Sequence, residues 1–238
     1  MGNMKKINVV NLGTMNYSEA LEIQLKLRDL RVVEKIEDTL LIVEHDPVLT
    51  LGSSGKLSNI LVSEEFLKSR GIDVVQLRRG GDVTYHGPGQ IVGYPIVHMR
   101  NYNKDVRSFV QNMKQTFIDL LKEEFGFEAE GKDGDHTGVW VGEEKITAIG
   151  ISVSKMVTMH GFAFNVNTDL SHFKWINPCG FRDKGVISLE KLMGSSMDME
   201  KMKQKTMNYY CNACGLDPHE MEAEELMKML EDKYDGDF

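Results

Sequence analysis

The sequence predicts an α+β fold built on an antiparallel meander, with helices gathered toward its C-terminal end. Three observations carry this reading. Between residues 137 and 167 the runs TGVWVG, KITAIGISVS and VTMHGFAFNVN are rich in β-branched and aromatic residues, and only Glu143-Glu144 and Lys155-Met156 separate them. Connections that short join neighbouring antiparallel strands. After Asp105, Val106, Phe109, Val110, Met113, Phe117, Leu120 and Leu121 recur at i, i+3, i+4 and i+7 spacings up to Gly126, the mark of one helix face. Beyond Asp169 the pattern is irregular through SHFKWINPCGF and then helical over 188–193, 198–214 and 221–234.

The remaining elements follow in order. INVVNLG, residues 7–13, reads as a first strand. From Tyr17 to about Ile36, Ala20, Leu21, Ile23, Leu25, Leu27 and Leu30 are dense enough for a buried helix, with Ser18 as its start signal. TLLIVEH (39–45) and VLTLG (48–52) are β-rich, and Pro47 favours a break between them. A short helix is expected over 64–70, with Ser63 as N-cap and Gly71 as stop. Gly215-Leu216-Asp217-Pro218 separates the last two helices.

With 238 residues the chain can bury a sizeable core, and no repeat, linker or low-complexity block divides it. A single catalytic domain over 1–238 is expected, its helical part starting near residue 195. Net charge is −8, which argues against general affinity for nucleic acid. No apolar run approaches the length needed to span a bilayer, and MGNMKKINVVNLG lacks the apolar core of a signal peptide. A cytoplasmic protein without membrane partners is expected. Three cysteines, Cys179, Cys211 and Cys214, are too few and too odd in number for a disulfide framework.

The most unusual stretch is RRGGDVTYHGPGQIVGYPI, residues 78–96, with five glycines around Tyr85, His86, Pro88 and Gln90. Apolar runs flank it, so it reads as strand, functional loop, strand. Glycine admits positive φ and close approach of another molecule to the main chain, with Arg79 and backbone N–H groups facing a ligand. A plain glycine-rich hairpin has the same composition. A dinucleotide fingerprint does not fit, because no third glycine follows and the segment leads into a strand. A P-loop does not fit, because no G-K-[ST] follows the glycines.

Two further residues carry candidate chemistry. Cys179 sits between Pro178 and Gly180 in an irregular segment; it is a small buried hydrophobe or a nucleophile, and a nucleophile needs a cationic or basic neighbour. His86, His160 and His172 lie in suggestive segments, but no spacing marks one as a base. Lys145, which opens KITAIG, is a solvated strand-end charge or that neighbour. Cys211 and Cys214 form a C-x-x-C on a predicted helix, where packing is the simpler reading, since no second pair and no thioredoxin-like context accompany it. No histidine spacing suggests a metal site.

RGGDVTYHGPGQIVGYP, GVWVGEEKITAIG, HGFAFNVN and NPCG, in that order and preceded by EHDPVLTLG, resemble the lipoyl(octanoyl) transferase family. The matching segments run from about residue 44 to 180. The resemblance implies a biotin and lipoate protein ligase-like fold, with a mixed, largely antiparallel sheet and flanking helices. It implies that Cys179 is the acyl-thioester nucleophile and Lys145 the residue that lowers its pKa. It implies a substrate site lined by Arg79, Gly80, Gly81, Asp82, Val83, Thr84, Tyr85 and His86, by Ala148, Ile149 and Gly150, and by Gly161, Phe162 and Ala163. Asp82 and Phe162 fall where the family varies, so no loss of activity is expected from them.

The implied donor is octanoyl-acyl carrier protein. The implied acceptors are lipoyl domains of 2-oxoacid dehydrogenases and the glycine cleavage H protein. Thiolate-for-thioester exchange is near thermoneutral and amide formation is downhill, so this chemistry calls for no cofactor, ATP or metal. An ATP-dependent lipoate or biotin ligase of the same fold, or a non-catalytic relative that binds lipoyl domains, are the competing readings; Cys179 together with Lys145 favours the transferase. The partners are acidic, as is this chain, so docking calls for a local basic surface, with Arg78, Arg79, Arg100, Lys104, Arg107, Lys174, Arg182 and Lys184 as candidates.

Overall fold

The computed structural model describes residues 5–177 and 185–234. Its elements are β1 (Lys5–Met15), α1 (Tyr17–Val32), β2 (Thr39–His45), β3 (Val48–Leu51), α2 (Glu64–Lys68), β4 (Asp73–Gln76), β5 (Val83–His86), β6 (Gln90–Ile96), α3 (Val106–Phe125), β7 (Glu130–Lys132), β8 (Gly138–Val141), β9 (Glu144–Ser154), β10 (Val157–Asn165), β11 (Gly185–Val186), α4 (Leu189–Met193), α5 (Met199–Cys214), β12 (Leu216–Glu220) and α6 (Ala223–Lys233). Short 3₁₀ turns over Leu57–Asn59, Met99–Tyr102, Gly134–His136 and Leu170–Trp175 join them. None of the described helices is long and apolar enough to cross a membrane.

The larger sheet has the order β12-β1-β2-β6-β10-β9-β8-β7, with β11 beside β9; a small sheet runs β4-β3-β5. The meander of β8, β9 and β10 is antiparallel as expected, while β12 and β2 flank β1 in parallel. The fold is therefore α+β with a mixed, largely antiparallel sheet. Strand parity builds two cores from it. Leu40, Ile42, Ile149, Phe162 and Phe164 face α3 and α5. Leu41, Val43, Val92, Tyr94 and Ala163 face the side of α1 and α6. Burial on both faces explains why LLIV, residues 40–43, is continuously apolar rather than alternating. A third core lies under the small sheet, around Leu49, Leu51, Val83, Tyr85 and Ile176.

Side-chain caps fix most helix starts where the sequence placed them. Ser63, Asp105, Ser188 and Asp198 each accept a hydrogen bond from a first-turn backbone N–H. The cap of α1 is Asn16 rather than Ser18, because the Asn16 side chain accepts from Ser18 N. Two strands, β5 and β12, stand where the sequence pattern indicated loop or turn, and β7 and β11 stand where it assigned no element. β12 carries Pro218 at the end of the sheet order, an edge position where a missing N–H is tolerated.

Candidate active site

The larger sheet leaves one face open where β6, β10 and β9 run side by side. Antiparallel register pairs Val92 with Ala163, Ala163 with Ala148, and Gly161 with Gly150. Alternation points these residues, with Gln90, Tyr94 and Asn165, to one face. Half of the floor they make is glycine and alanine, and the small residues Ala148, Gly150, Gly161 and Ala163 leave space above them. A cleft of about 1380 Å³ results, lined also by Arg79–Thr84 (79–84), His86, Lys145, Trp140 and His160.

The glycine-rich loop forms one wall. Gly80 N donates to Ile151 O on β9 at 3.1 Å. A Cβ on Gly150 would lie 2.7 Å from Gly80 O, so glycine is what lets loop and strand meet. Arg79, expected to face a ligand, also braces its own loop: its guanidinium donates to Thr50 O and Oγ1, both at 2.9 Å, and to Gly80 O at 3.0 Å. Asp82 accepts from Val83 N and from Asn59 Nδ2. Along β5 the residues alternate. Thr84 and His86 line the cleft, whereas Tyr85, 1% exposed, turns into the third core and stacks on His172 at 4.6 Å. Ile149 and Phe162, expected as cleft walls, line the cleft and also pack into the core on the opposite face, where Phe162 meets Phe117 edge-on at 4.9 Å.

One side of the cleft is a buried histidine–tyrosine cluster. His45 Nδ1 lies 2.9 Å from Met15 O, and a carbonyl can only accept, so Nδ1 carries the proton. Nε2 then accepts from the Tyr94 hydroxyl at 2.7 Å, and Tyr17 bonds to Tyr94 in turn. His86 Nδ1 donates to Gln90 Oε1 at 2.7 Å, and Gln90 Nε2 donates to Asn165 Oδ1 at 2.9 Å. Burial holds His45 down to about 4, His86 to about 3 and His160 to about 4, and burial pushes the Tyr17 hydroxyl up to about 12. These imidazoles are neutral near pH 7. His160 adopts φ +59 within β10, and its Nδ1 is buried without a hydrogen-bond partner among the described residues.

Lys145 opens the opposite side. The β8–β9 register steps from Val139↔Thr147 to Trp140↔Lys145, so β9 carries one extra residue here. Such a bulge re-aims the side chain before it. Lys145 Nζ donates to Thr137 O at 3.3 Å and sits 5.1 Å from the Trp140 ring centroid. On its other side β11 pairs in parallel, Val186 with Lys145, and Ile187 N donates to Lys145 O at 3.0 Å.

Cys179, the expected nucleophile, lies outside the described residues, as do Arg182 and Lys184. Asn177 and Gly185, the described residues on either side of that segment, both line the cleft with Lys145. Of the expected docking cations, Arg107 and Lys174 reach the cleft rim, while Arg100 pairs with Glu34 at 3.2 Å. Cys211 and Cys214 are elsewhere, at the end of α5. Burial pushes their thiols up to about 11 and about 12, which fits packing rather than reactivity.

Sequence reasoning did not find Tyr17, His45, Tyr94, Asn165 and Trp140, all now at or beside the cleft. Each sits on a strand or helix whose local pattern reads as core. Glu44 was equally hidden: its carboxylate accepts from Gly89 N at 2.9 Å and from the buried Lys203 of α5 at 3.0 Å, tying α5 to the glycine turn.

Comparison with known proteins gives this geometry a family. The model of the lipoyl protein ligase A/B catalytic domain matches residues 16–211. An octanoyltransferase of Caldicellulosiruptor bescii is 52% identical over 224 residues, covering 94% of this chain and 98% of that protein. One of Desulforamulus reducens is 48% identical, with the same coverage of 94% and 98%. Among solved structures, a bi-partite lipoate protein ligase from Thermoplasma acidophilum superposes with a TM-score of 0.70 at 18% identity, covering 97% of this chain and 92% of that one. A lipoate-protein ligase A bound with ATP gives 0.70 at 15% identity, covering 97% and 94%.

Proposed function

Since the chain belongs to the lipoyl protein ligase A/B catalytic-domain family and is an enzyme of the acyltransferase class, we propose that it transfers octanoyl from octanoyl-acyl carrier protein to a specific lysine of lipoyl domains. The Cys179 thiolate attacks the donor thioester carbonyl, a new S–C bond forms as the carrier's S–C bond breaks, and the carrier leaves as a thiol with a proton from the Lys145 ammonium. The acceptor ε-amine then attacks the enzyme thioester. An amide forms, and the Cys179 thiolate is released. Splitting the reaction in this way replaces one difficult step by two easier ones.

Lys145 serves both steps. As an ammonium it favours the thiolate, and as an amine it takes the proton from the attacking lysine. The coupled pair would titrate together rather than as two separate residues. Backbone N–H groups near Cys179 and in the glycine loop would hold the oxyanion of each tetrahedral intermediate. The small floor of Ala148, Gly150, Gly161 and Ala163 offers an apolar bed for the alkyl chain. Each buried methylene contributes about 0.8 kcal/mol, so the length of that bed selects the acyl group. The acceptors are lipoyl domains of 2-oxoacid dehydrogenases and the glycine cleavage H protein, and the setting is the cytoplasm.

The observation that carries this reading is the convergence of Lys145, the glycine loop, Asn177 and Gly185 on one cleft, because Asn177 and Gly185 bracket Cys179 in the chain. Intact mass spectrometry after mixing with octanoyl-acyl carrier protein tests it. An octanoyl-sized gain that hydroxylamine removes and Cys179→Ser abolishes is expected. ATP-dependent activity that survives Cys179→Ala would reassign the chain to ligation.

A further inference from the structure

We propose that Trp140 is the positioning residue for Lys145: its indole face and the turn it anchors set where the ammonium sits. This rests on the reading that Lys145 acts in acyl transfer. Trp140 is 3% exposed and lines the cleft beside Lys145. The bulge in β9 makes the two residues direct cross-strand partners. At 5.1 Å from the ring centroid, Lys145 Nζ lies within the reach of a cation–π contact.

The same indole controls a second contact of the ammonium, with the Thr137 carbonyl. Its Nε1–H donates to His136 O at 2.9 Å, one residue before the Thr137 carbonyl that Lys145 reaches at 3.3 Å. The turn closes on itself, with Thr137 N and Oγ1 both bonded to Gly134 O. From below it is pinned by Lys114 of α3, 1% exposed, which pairs with Asp133 at 2.7 Å. Gly138, at φ +150, brings the backbone in close; a Cβ there would lie 2.3 Å from Thr147 O and 3.4 Å from Lys145 Cδ. Ring and carbonyl therefore reach Lys145 as one preassembled unit with Trp140 as its keystone. An indole neither gains nor loses a proton near pH 7, so its part is placement and not proton transfer.

A double-mutant cycle tests this with octanoyl-acyl carrier protein as donor. Trp140→Leu is expected to slow enzyme acylation about tenfold or more at unchanged KM, and Trp140→Phe, which keeps a ring face, recovers part of the rate. In the Lys145→Ala background Trp140→Leu should cost nothing further, since residues acting through one another are not additive. Equal losses in both backgrounds would overturn the proposal and leave Trp140 as a wall of the cleft.

A second measurement is independent of turnover. The chain has two tryptophans, so Trp175→Phe isolates Trp140 emission. Adding Lys145→Met should then change that emission by removing the ammonium from the ring, and an unchanged spectrum overturns the contact. If the wild type forms no octanoyl adduct while the emission responds, the acyl-transfer reading fails and the contact stands.

Discussion

The two faces of the larger sheet are made by the same strands and do opposite things. On the face toward α3 and α5, β9 and β10 present Ile149, Phe162 and Phe164, and the space is closed. On the other, the adjacent residues Ala148, Gly150, Gly161 and Ala163 leave a cleft. Residue size at alternate positions separates the two faces. One period-2 string, AIG on β9 and GFAF on β10, specifies a core with its large members and a site with its small ones. A site built this way inherits the rigidity of the core behind it.

The sharpest way to separate the faces is to remove Lys145 from the open one. Lys145→Ala is expected to slow octanoyl-adduct formation by about 10²–10⁴, with the melting temperature unchanged; acylation at the wild-type rate would exclude its role. The mirror experiment removes Phe162 from the closed face. Phe162→Ala should lower unfolding free energy by about 3–5 kcal/mol in a denaturant titration. The folded fraction should keep its acylation rate.

The buried imidazoles give the cleft face its own pH signature. Their folded-state pKa values, about 4 for His45, about 3 for His86 and about 4 for His160, lie below that of an unfolded histidine. The unfolded chain therefore takes up protons first. Stability is complete above about pH 6.5 and falls as pH drops toward 4, by at most about 2 kcal/mol per ring over the first ~1.5 pH units. Thermal melts from pH 7.5 down to 5 read this, and His86→Gln should flatten the slope. The smallest effect fills the floor. Ala148→Leu is expected to shift preference from octanoyl toward shorter acyl thioesters by about tenfold, or roughly 1.4 kcal/mol; an unchanged chain-length profile would place the alkyl chain elsewhere.

Much of this was legible before any coordinates. The spacing from Val106 to Leu121 announced α3, and Ser63, Asp105, Ser188 and Asp198 announced helix starts, because caps and helical faces are set by residues a few positions apart. The glycine stretch declared itself by composition. Its internal strand β5 did not, since glycines and polar residues surrounded the alternation of Val83 and Tyr85.

What the chain could not announce was pairing across long separations. β12 joins β1 more than 200 positions away, with Leu216 beside Lys5, and that partner gives the LDPHE segment its strand. The bulge that aims Lys145 exists only in the register between β8 and β9. Tyr17, Tyr94 and His45 become one hydrogen-bonded chain only when α1, β6 and β2 are packed together. The sequence by itself determined the elements whose signals lie within a turn or a pleat, together with the residue types able to do the chemistry. The tertiary structure alone decided which of them meet, because register and packing are collective properties that emerge when distant segments share one buried surface.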